Sequence, residues 1–102
     1  MTDLDLENLD NAWDTDNGFL GKLREGTFDR SSYENFMQLL RSISFPEDGL
    51  VPTRGVTLLW YIYPFIEWQK ERVVKDQILT SEQYDMMSVN IMNELERILG
   101  IP

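Results

Sequence analysis

The stretch that decides the fold is VTLLWYIYPFI, residues 56–66. It is apolar on nearly every side, so periodicity alone does not distinguish a buried helix from a strand. Pro64 would remove a hydrogen-bond donor from a continuous helix and press on the Trp60 carbonyl, at a cost of about 3 kcal/mol. A lone strand has no partner, whereas proline is tolerated in a first helical turn. We therefore favour a helix over 56–63 and a second helix from Pro64, with a strand over 56–63 as the alternative.

The second of these helices is predicted to run to about Gln77. Glu67 and Lys70 are three residues apart on its solvent-facing side, which is a spacing that supports an ion pair within a helix. The segment before the pair, residues 44–55, contains two prolines and two glycines. These residue types punctuate chains strongly, so we predict a loop there.

Helical periodicity also precedes the central stretch. Leu6, Leu9 and Trp13 are spaced three and four residues apart, which predicts a short helix over about residues 4–13. A second short helix is predicted over residues 19–25, because apolar residues share one face and a glycine follows. A third, of about 12 residues, is expected from the apolar positions Tyr33, Phe36, Met37, Leu40 and Ile43, with Asp29 or Ser31 as N-cap and Glu34 completing a capping box with Ser31.

The clearest helix lies at the end of the chain. Thr80 and Gln83 have the spacing of a capping box. The apolar positions that follow have helical spacing and end before Gly100; they are Tyr84, Met87, Ile91, Leu95 and Ile98. With no credible hairpin in the sequence, we predict an all-α bundle of four to five helices in one domain, residues 1–102, with an acidic N-terminal segment over residues 1–18.

The residue types that the chain lacks exclude several classes of function. The chain of 102 residues has no cysteine and no histidine. Disulfides and thiolate chemistry are therefore excluded, and the usual general base and the commonest metal ligand are absent. The chain also has no Gly-rich phosphate loop, and its carboxylate pairs lie in polar turns. We expect no enzyme and no cofactor. The N-terminal segment is acidic and lacks the apolar stretch of a secretory signal peptide, so we expect a cytoplasmic protein.

DTDNG, residues 14–18, resembles part of a calcium-binding loop. Aligning Gly18 with the glycine of the EF-hand pattern places Trp13, Thr15 and Asn17 at ligand positions and Arg24 at the glutamate position. The pattern fails at three of these four places. We therefore expect a solvated turn and no metal site.

Charge is the strongest functional indication. The formal net charge is −9, and residues 1–18 contribute −6 of it, with six acids and no base. Such a surface repels nucleic acid and anionic membranes and attracts a basic protein. Solubility alone is the other explanation of the acidity.

Aromatic residues suggest where a partner would be anchored. The side chains in residues 58–68 cannot all face one core, so at least one of Tyr61, Tyr63 and Trp68 should reach the surface. Tyrosine and tryptophan often anchor interfaces, and we expect an acidic rim around them. Trp13 lies among Asp10, Asp14 and Asp16, where it either anchors a partner or folds back onto the bundle with Leu6 and Leu9.

The segment Tyr61-Ile62-Tyr63-Pro64 resembles the Tyr-Tyr-Pro motif of immunity proteins of nuclease bacteriocins, with an isoleucine between the tyrosines. The resemblance covers about four residues and the acidic, cysteine-free, helical character of the chain. It implies a helical inhibitor that binds and neutralises a basic nuclease domain.

The leading hypothesis is an immunity or antitoxin-type protein that blocks a basic effector stoichiometrically. The predicted partner-binding residues are five carboxylates and three aromatics: Asp10, Asp14, Asp16, Glu47, Asp48, Trp13, Tyr61 and Tyr63. The alternatives are a phage-encoded DNA mimic or anti-defence protein, and a small accessory protein that forms a homodimer through residues 58–68. We expect no direct binding of nucleic acid or membrane.

Overall fold

A computed structural model describes residues 1–46 and 49–102. This part of the chain contains no β-strand, which confirms the all-α prediction and settles residues 56–63 as helix apart from a break at Tyr61. The helical segments are α1 (Asp3–Ala12), α2 (Phe19–Arg24), α3 (Arg30–Ser42), α4 (Thr53–Trp60), α5 (Ile62–Lys75) and α6 (Ser81–Leu99). No helix in the described ranges combines the length and apolar character needed to cross a bilayer.

Capping boxes start the first and last helices. At α6, the Thr80 hydroxyl accepts a hydrogen bond from the Gln83 amide and the Gln83 side chain accepts one from the Thr80 amide, as predicted. At α1, Thr2 and Asp5 form the same reciprocal pair. Each box satisfies backbone donors that have no partner within the helix.

The start of α3 differs from the predicted capping box. The helix begins directly after Asp29, and Ser31 lies inside its first turn. The Asp29 carboxylate makes no capping bond to the backbone; it accepts hydrogen bonds from the Ser32 hydroxyl at 2.6 Å and the Lys22 ammonium at 3.0 Å. Asp29, one of the two positions predicted for the N-cap, is confirmed as the N-cap, whereas the predicted capping box of Ser31 with Glu34 is wrong because Ser31 is already helical.

The helix break in the central stretch lies three residues before its predicted place. α4 ends at Trp60, Tyr61 alone joins the two helices, and α5 begins at Ile62. Pro64 is therefore the third residue of α5, inside its first turn. Since Pro64 has no amide hydrogen, the Trp60 carbonyl loses its helical donor, which explains why α4 ends there.

The predicted loop over residues 44–55 is too long at its end, because α4 already begins at Thr53. Pro52 precedes this helix with an extended backbone conformation. Gly55 is the third helical residue and is buried beneath Met1 and Leu6. The missing side chain lets α1 approach α4, so a residue type that usually ends helices is used here for packing.

In the part of the chain that the structure describes, one hydrophobic core joins α1 to α6. α6 packs against α5 and α3, while α1 contacts α2, α3 and α4. The fully buried aliphatic side chains of the core come from every helix or from the residue just after it: Leu9, Leu20, Leu23, Leu40, Ile43, Leu59, Ile62, Ile66, Val73 and Ile91. The described molecule is flat, with extents of 44 × 30 × 19 Å, and its shortest dimension is about two helix diameters.

Two arginines donate hydrogen bonds to the carbonyl groups at the C-terminal ends of neighbouring helices. Arg97 of α6 donates hydrogen bonds to the Leu40 carbonyl at 2.8 Å and the Ile43 carbonyl at 3.0 Å, at the C-terminus of α3. Arg72 of α5 donates to the carbonyls of Leu23 and Arg24 at the end of α2. Both cations lie where the helix dipole favours positive charge. They fix α2 and α3 against the α5–α6 pair.

Candidate functional site

All three tryptophans of the chain contact one residue, Tyr61. The ring centroids of Trp60, Trp68 and Trp13 lie 5.4, 5.7 and 5.9 Å from that of Tyr61. Trp60 ends α4, Trp68 lies on α5 and Trp13 follows α1. The junction of α4 and α5 therefore gathers aromatic rings from three helices. We call these four residues the aromatic cluster.

Much of the aromatic cluster lies at the surface. Trp68 is 64% exposed, Trp60 56% and Tyr61 36%. The expectation that at least one of the aromatics in this region reaches the surface is confirmed. Tryptophan and tyrosine with both apolar and polar atoms exposed are the residue types most enriched at the energetic centres of protein interfaces.

Trp13 folds back onto the bundle, which was one of the two outcomes considered for it. Its side chain is half-buried, and its indole nitrogen donates a hydrogen bond to the Leu58 carbonyl at 3.3 Å. Its ring also packs edge-on against Phe65 at 4.9 Å. Trp13 therefore forms the inner wall of the aromatic cluster and leaves the exposed positions to Trp60 and Trp68.

A depression of about 270 Å³ lies beside the cluster, between the end of α1 and the face of α4. Its walls include Trp13, Trp60 and Tyr61, together with Arg24 and Arg54. The nearest charges are thus partly cationic, where an acidic rim was expected. The Arg24 guanidinium stacks on the ring of Trp13 at 5.5 Å and on that of Phe65 at 5.4 Å.

Asp10 closes the depression on the α1 side. Its carboxylate pairs with the Arg54 guanidinium at 2.7 Å, and both side chains are about half exposed. Asp3, Glu7 and Asp10 are spaced four and three residues apart, so they form one exposed row along α1. The acidic row ends at Asp10, which pairs with Arg54 of α4 and lines the depression beside the aromatic cluster.

Asp14 and Asp16 lie in the turn that follows α1. The Asp14 carboxylate accepts hydrogen bonds from the backbone amides of Asp16 at 3.2 Å and Asn17 at 2.9 Å, which shapes the turn. Asp16 is exposed. Within the described ranges, no three acidic side chains come together as metal ligands. Glu47 and Asp48, which were also predicted to bind the partner, lie outside the described residues.

Tyr63 is separated from Tyr61, because two residues along a helix differ by about 200° in direction. It is 38% exposed and lines a different depression, together with Glu67 and Val89. There Glu67 accepts a hydrogen bond from the buried Ser88 hydroxyl at 2.8 Å. The predicted Glu67–Lys70 pair is wrong, since Lys70 pairs with Asp85 of α6 at 2.7 Å.

Four residues of this region were missed as site candidates from the sequence: Trp60, Trp68, Arg24 and Arg54. One signal was present, because Tyr61 and Trp68 are seven residues apart and therefore share a helical face. Nothing in the sequence places Arg24 of α2 beside Trp13, since that contact depends on how α2 packs against the end of α1.

Two side chains away from the cluster have displaced pKa values. The hydrogen bond from Ser32, supported by Lys22, lowers the pKa of Asp29 to about 2. Burial, and then the negative charge of Glu67, raise the pKa of Tyr84, whose hydroxyl donates to the Ile66 carbonyl. Both groups connect helices to one another, so their role is in holding the bundle together.

Comparison with family models, with curated proteins and with solved structures finds no match in any of the three.

Proposed function

We propose that the protein acts by stoichiometric binding to a basic protein, as an immunity or antitoxin-type inhibitor would. The observation that carries the proposal is the aromatic cluster, in which Trp60, Tyr61 and Trp68 present exposed rings at one helix junction. Such rings lose little conformational entropy on binding and bury a large apolar area. They form the anchor of the proposed interface.

The acidic row beside the cluster supplies the second part of the proposal. Asp3 and Glu7 are exposed on α1, Asp10 at the end of the row is half exposed and paired with Arg54, and the whole chain carries −9. Carboxylates placed beside an apolar anchor accelerate encounter with a cationic surface and disfavour anionic partners. A basic effector, such as a toxin that binds phosphate groups, fits this arrangement, and blocking its cationic site would neutralise it.

The test is an affinity capture from a lysate of the organism that encodes the protein, with the partner identified by mass spectrometry. Three baits are compared: the wild type, the double variant Trp60→Ala/Trp68→Ala, and Met86→Ala. Met86 is 63% exposed but lies outside the cluster, so it controls for the loss of an exposed apolar side chain. We expect a basic protein to be captured in equal amount by the wild type and Met86→Ala and to be lost from the tryptophan variant.

The captured protein is then produced alone, and its activity is measured with and without one equivalent of this chain. Loss of that activity at a 1:1 ratio would support inhibition. Capture that does not depend on the two tryptophans, or a tight homodimer in sedimentation at micromolar concentration, would contradict the proposal. The homodimer result would favour an accessory protein that associates through residues 58–68.

A further inference from the structure

The charge beside the aromatic cluster is opposite to that of the whole chain. The depression is lined by two guanidiniums, Arg24 and Arg54, and by one carboxylate, Asp10. Asp10 pairs with Arg54. Among the described residues, no carboxylate lies within ion-pairing distance of Arg24. The depression therefore has one cationic group in excess, although the chain as a whole carries −9.

Arg24 is held in place without a counter-ion. Its guanidinium lies over the rings of Trp13 and Phe65, while the carbonyl of the same residue accepts a hydrogen bond from Arg72. Stacking on an aromatic ring orients the guanidinium plane without using its N–H donors, and no acceptor among the described residues bonds to them. A guanidinium fixed in this way has the geometry to donate two parallel hydrogen bonds to one carboxylate.

A partner that covers Trp60 and Tyr61 must also cover Arg24, because all three line the same depression. Removing a cation from water without giving it a counter-charge opposes binding strongly. A partner with only basic groups at this point would therefore be repelled at the centre of the interface. The partner must offer an anion there, although it is basic elsewhere.

We infer that Arg24 receives a carboxylate side chain of the partner, an aspartate or glutamate that enters the depression between Trp13, Arg54 and Trp60. The inference deepens the proposed function and rests on it. A volume of about 270 Å³ accommodates one acidic side chain. Arginine, tryptophan and tyrosine together are the residue types that dominate binding energy at interfaces. The partner surface is thus bipartite, with an acidic residue facing Arg24 and basic residues facing the acidic row of α1.

The test uses two small probes of nearly equal shape, N-acetylglutamate α-amide and N-acetylglutamine amide. Only the first carries a carboxylate. Binding is followed by the chemical shifts of the three tryptophan indole N–H groups in the ¹⁵N-labelled protein at low salt. We expect saturable shifts of the Trp60 and Trp13 signals with the acidic probe, at a dissociation constant of about 1–10 mM. The neutral probe should bind at least about tenfold more weakly.

Arg24→Met keeps the apolar part of the side chain and removes the guanidinium. We expect it to weaken binding of the acidic probe at least about tenfold. Arg30→Met is the matched control, because Arg30 also stacks on an aromatic ring, Phe28, at 6.0 Å but lies on another face. Binding to this control should equal that of the wild type. Unchanged backbone signals in both variants would show that the fold is retained.

Equal shifts with both probes, or undiminished binding to Arg24→Met, would overturn the inference. N-acetylglutamine, whose only carboxylate is at the chain end, serves as a third probe, and tighter binding of it would overturn the assignment to a side chain. These outcomes differ from failure of the proposed function. If the acidic probe does not bind Arg24 while the two tryptophans still capture a basic protein, only the carboxylate contact is wrong.

Discussion

Tyr61 occupies the position on which the candidate site depends. Its backbone is helical, with φ −74° and ψ −15°, but it belongs to neither helix and separates α4 from α5. A residue at such a junction has neighbours from both helices, and here the end of α1 adds a third. The cause lies three residues further on, where Pro64 provides no donor for the Trp60 carbonyl. A single imino acid thus determines where the aromatic rings meet.

Asp29 makes the stability of the folded protein depend on pH in the acidic range. Its pKa is about 2 in the folded protein, below the ordinary value of 3.8, because Ser32 and Lys22 stabilise the carboxylate. A lowered folded-state pKa stabilises the fold above the ordinary value, and this contribution is lost as pH falls through the folded-state value. We therefore expect wild type to have a higher Tm than Asp29→Asn at pH 7. The difference should shrink between pH 4 and pH 2, as measured by thermal unfolding followed by circular dichroism.

Asparagine is a suitable control substitution at this position. Its side chain has nearly the same size and shape as that of aspartate, so it removes the charge and leaves an oxygen that can still accept a hydrogen bond from Ser32. A difference in Tm that stays constant from pH 7 to pH 2 would contradict the role of the ionised carboxylate.

At the scale of elements, α2 is the short helix whose placement depends most on small residues. Gly21 of α2 lies against the backbone of the turn after α1, and an added Cβ would overlap the Asp14 carbonyl. Gly18 lies equally close to the carbonyls of Asn11 and Ala12. These glycines allow α2 to pack directly on the end of α1. That packing brings Arg24 to Trp13, so the depression depends on two missing side chains.

Gly21→Ala should destabilise the protein by about 1–3 kcal/mol, although alanine favours a helix by about 1 kcal/mol over glycine. The reason is that the new methyl group meets backbone atoms, which cannot move aside. Gly55→Ala is the matched control within α4, because there the Cβ meets mainly the flexible side chain of Met1. It should change the free energy of unfolding by less than about 1 kcal/mol in urea denaturation. Equal effects of the two substitutions would contradict the steric argument.

At the scale of the whole molecule, charge and shape act together. The acidic row of α1 adjoins the aromatic cluster through Asp10, which lines the depression beside the cluster and pairs with Arg54. Most of the remaining acids lie elsewhere and contribute to the overall field. The proposed interface thus has an anionic part, the acidic row, and an aromatic, partly cationic centre at the aromatic cluster.

Association with the partner identified by capture should therefore slow as salt is added. We expect the association rate constant to fall at least about tenfold between roughly 0.02 M and 0.5 M salt, because screening weakens steering by exposed charges. Asp3→Asn/Glu7→Gln should lower that constant roughly two- to fivefold at low salt and leave dissociation nearly unchanged. Stopped-flow fluorescence of the exposed tryptophans provides the measurement.

A variant of the same net charge controls for this effect. Asp76→Asn/Glu82→Gln removes two exposed acids at the end of α5 and the start of α6, outside the acidic row. It should slow association less than the α1 variant does. Identical rates for the two variants, or rates that do not change with salt, would contradict steering by the acidic row.

The sequence by itself determined the helices, because their periodicity, caps and glycine stops are local signals: the prediction of α6 from Thr80 onward was correct, as was that of α2 at residue 19. It also indicated that at least one of Tyr61, Tyr63 and Trp68 is exposed, and all three are. Only the tertiary structure decided which charges lie beside Tyr61. Arg24, Arg54 and Trp13 come from three separate helices or their ends. Their approach depends on the close contacts of Gly21 with the backbone that follows α1 and of Gly55 with the side chains of Met1 and Leu6. Such contacts leave no periodic signal, since they join residues far apart in the chain.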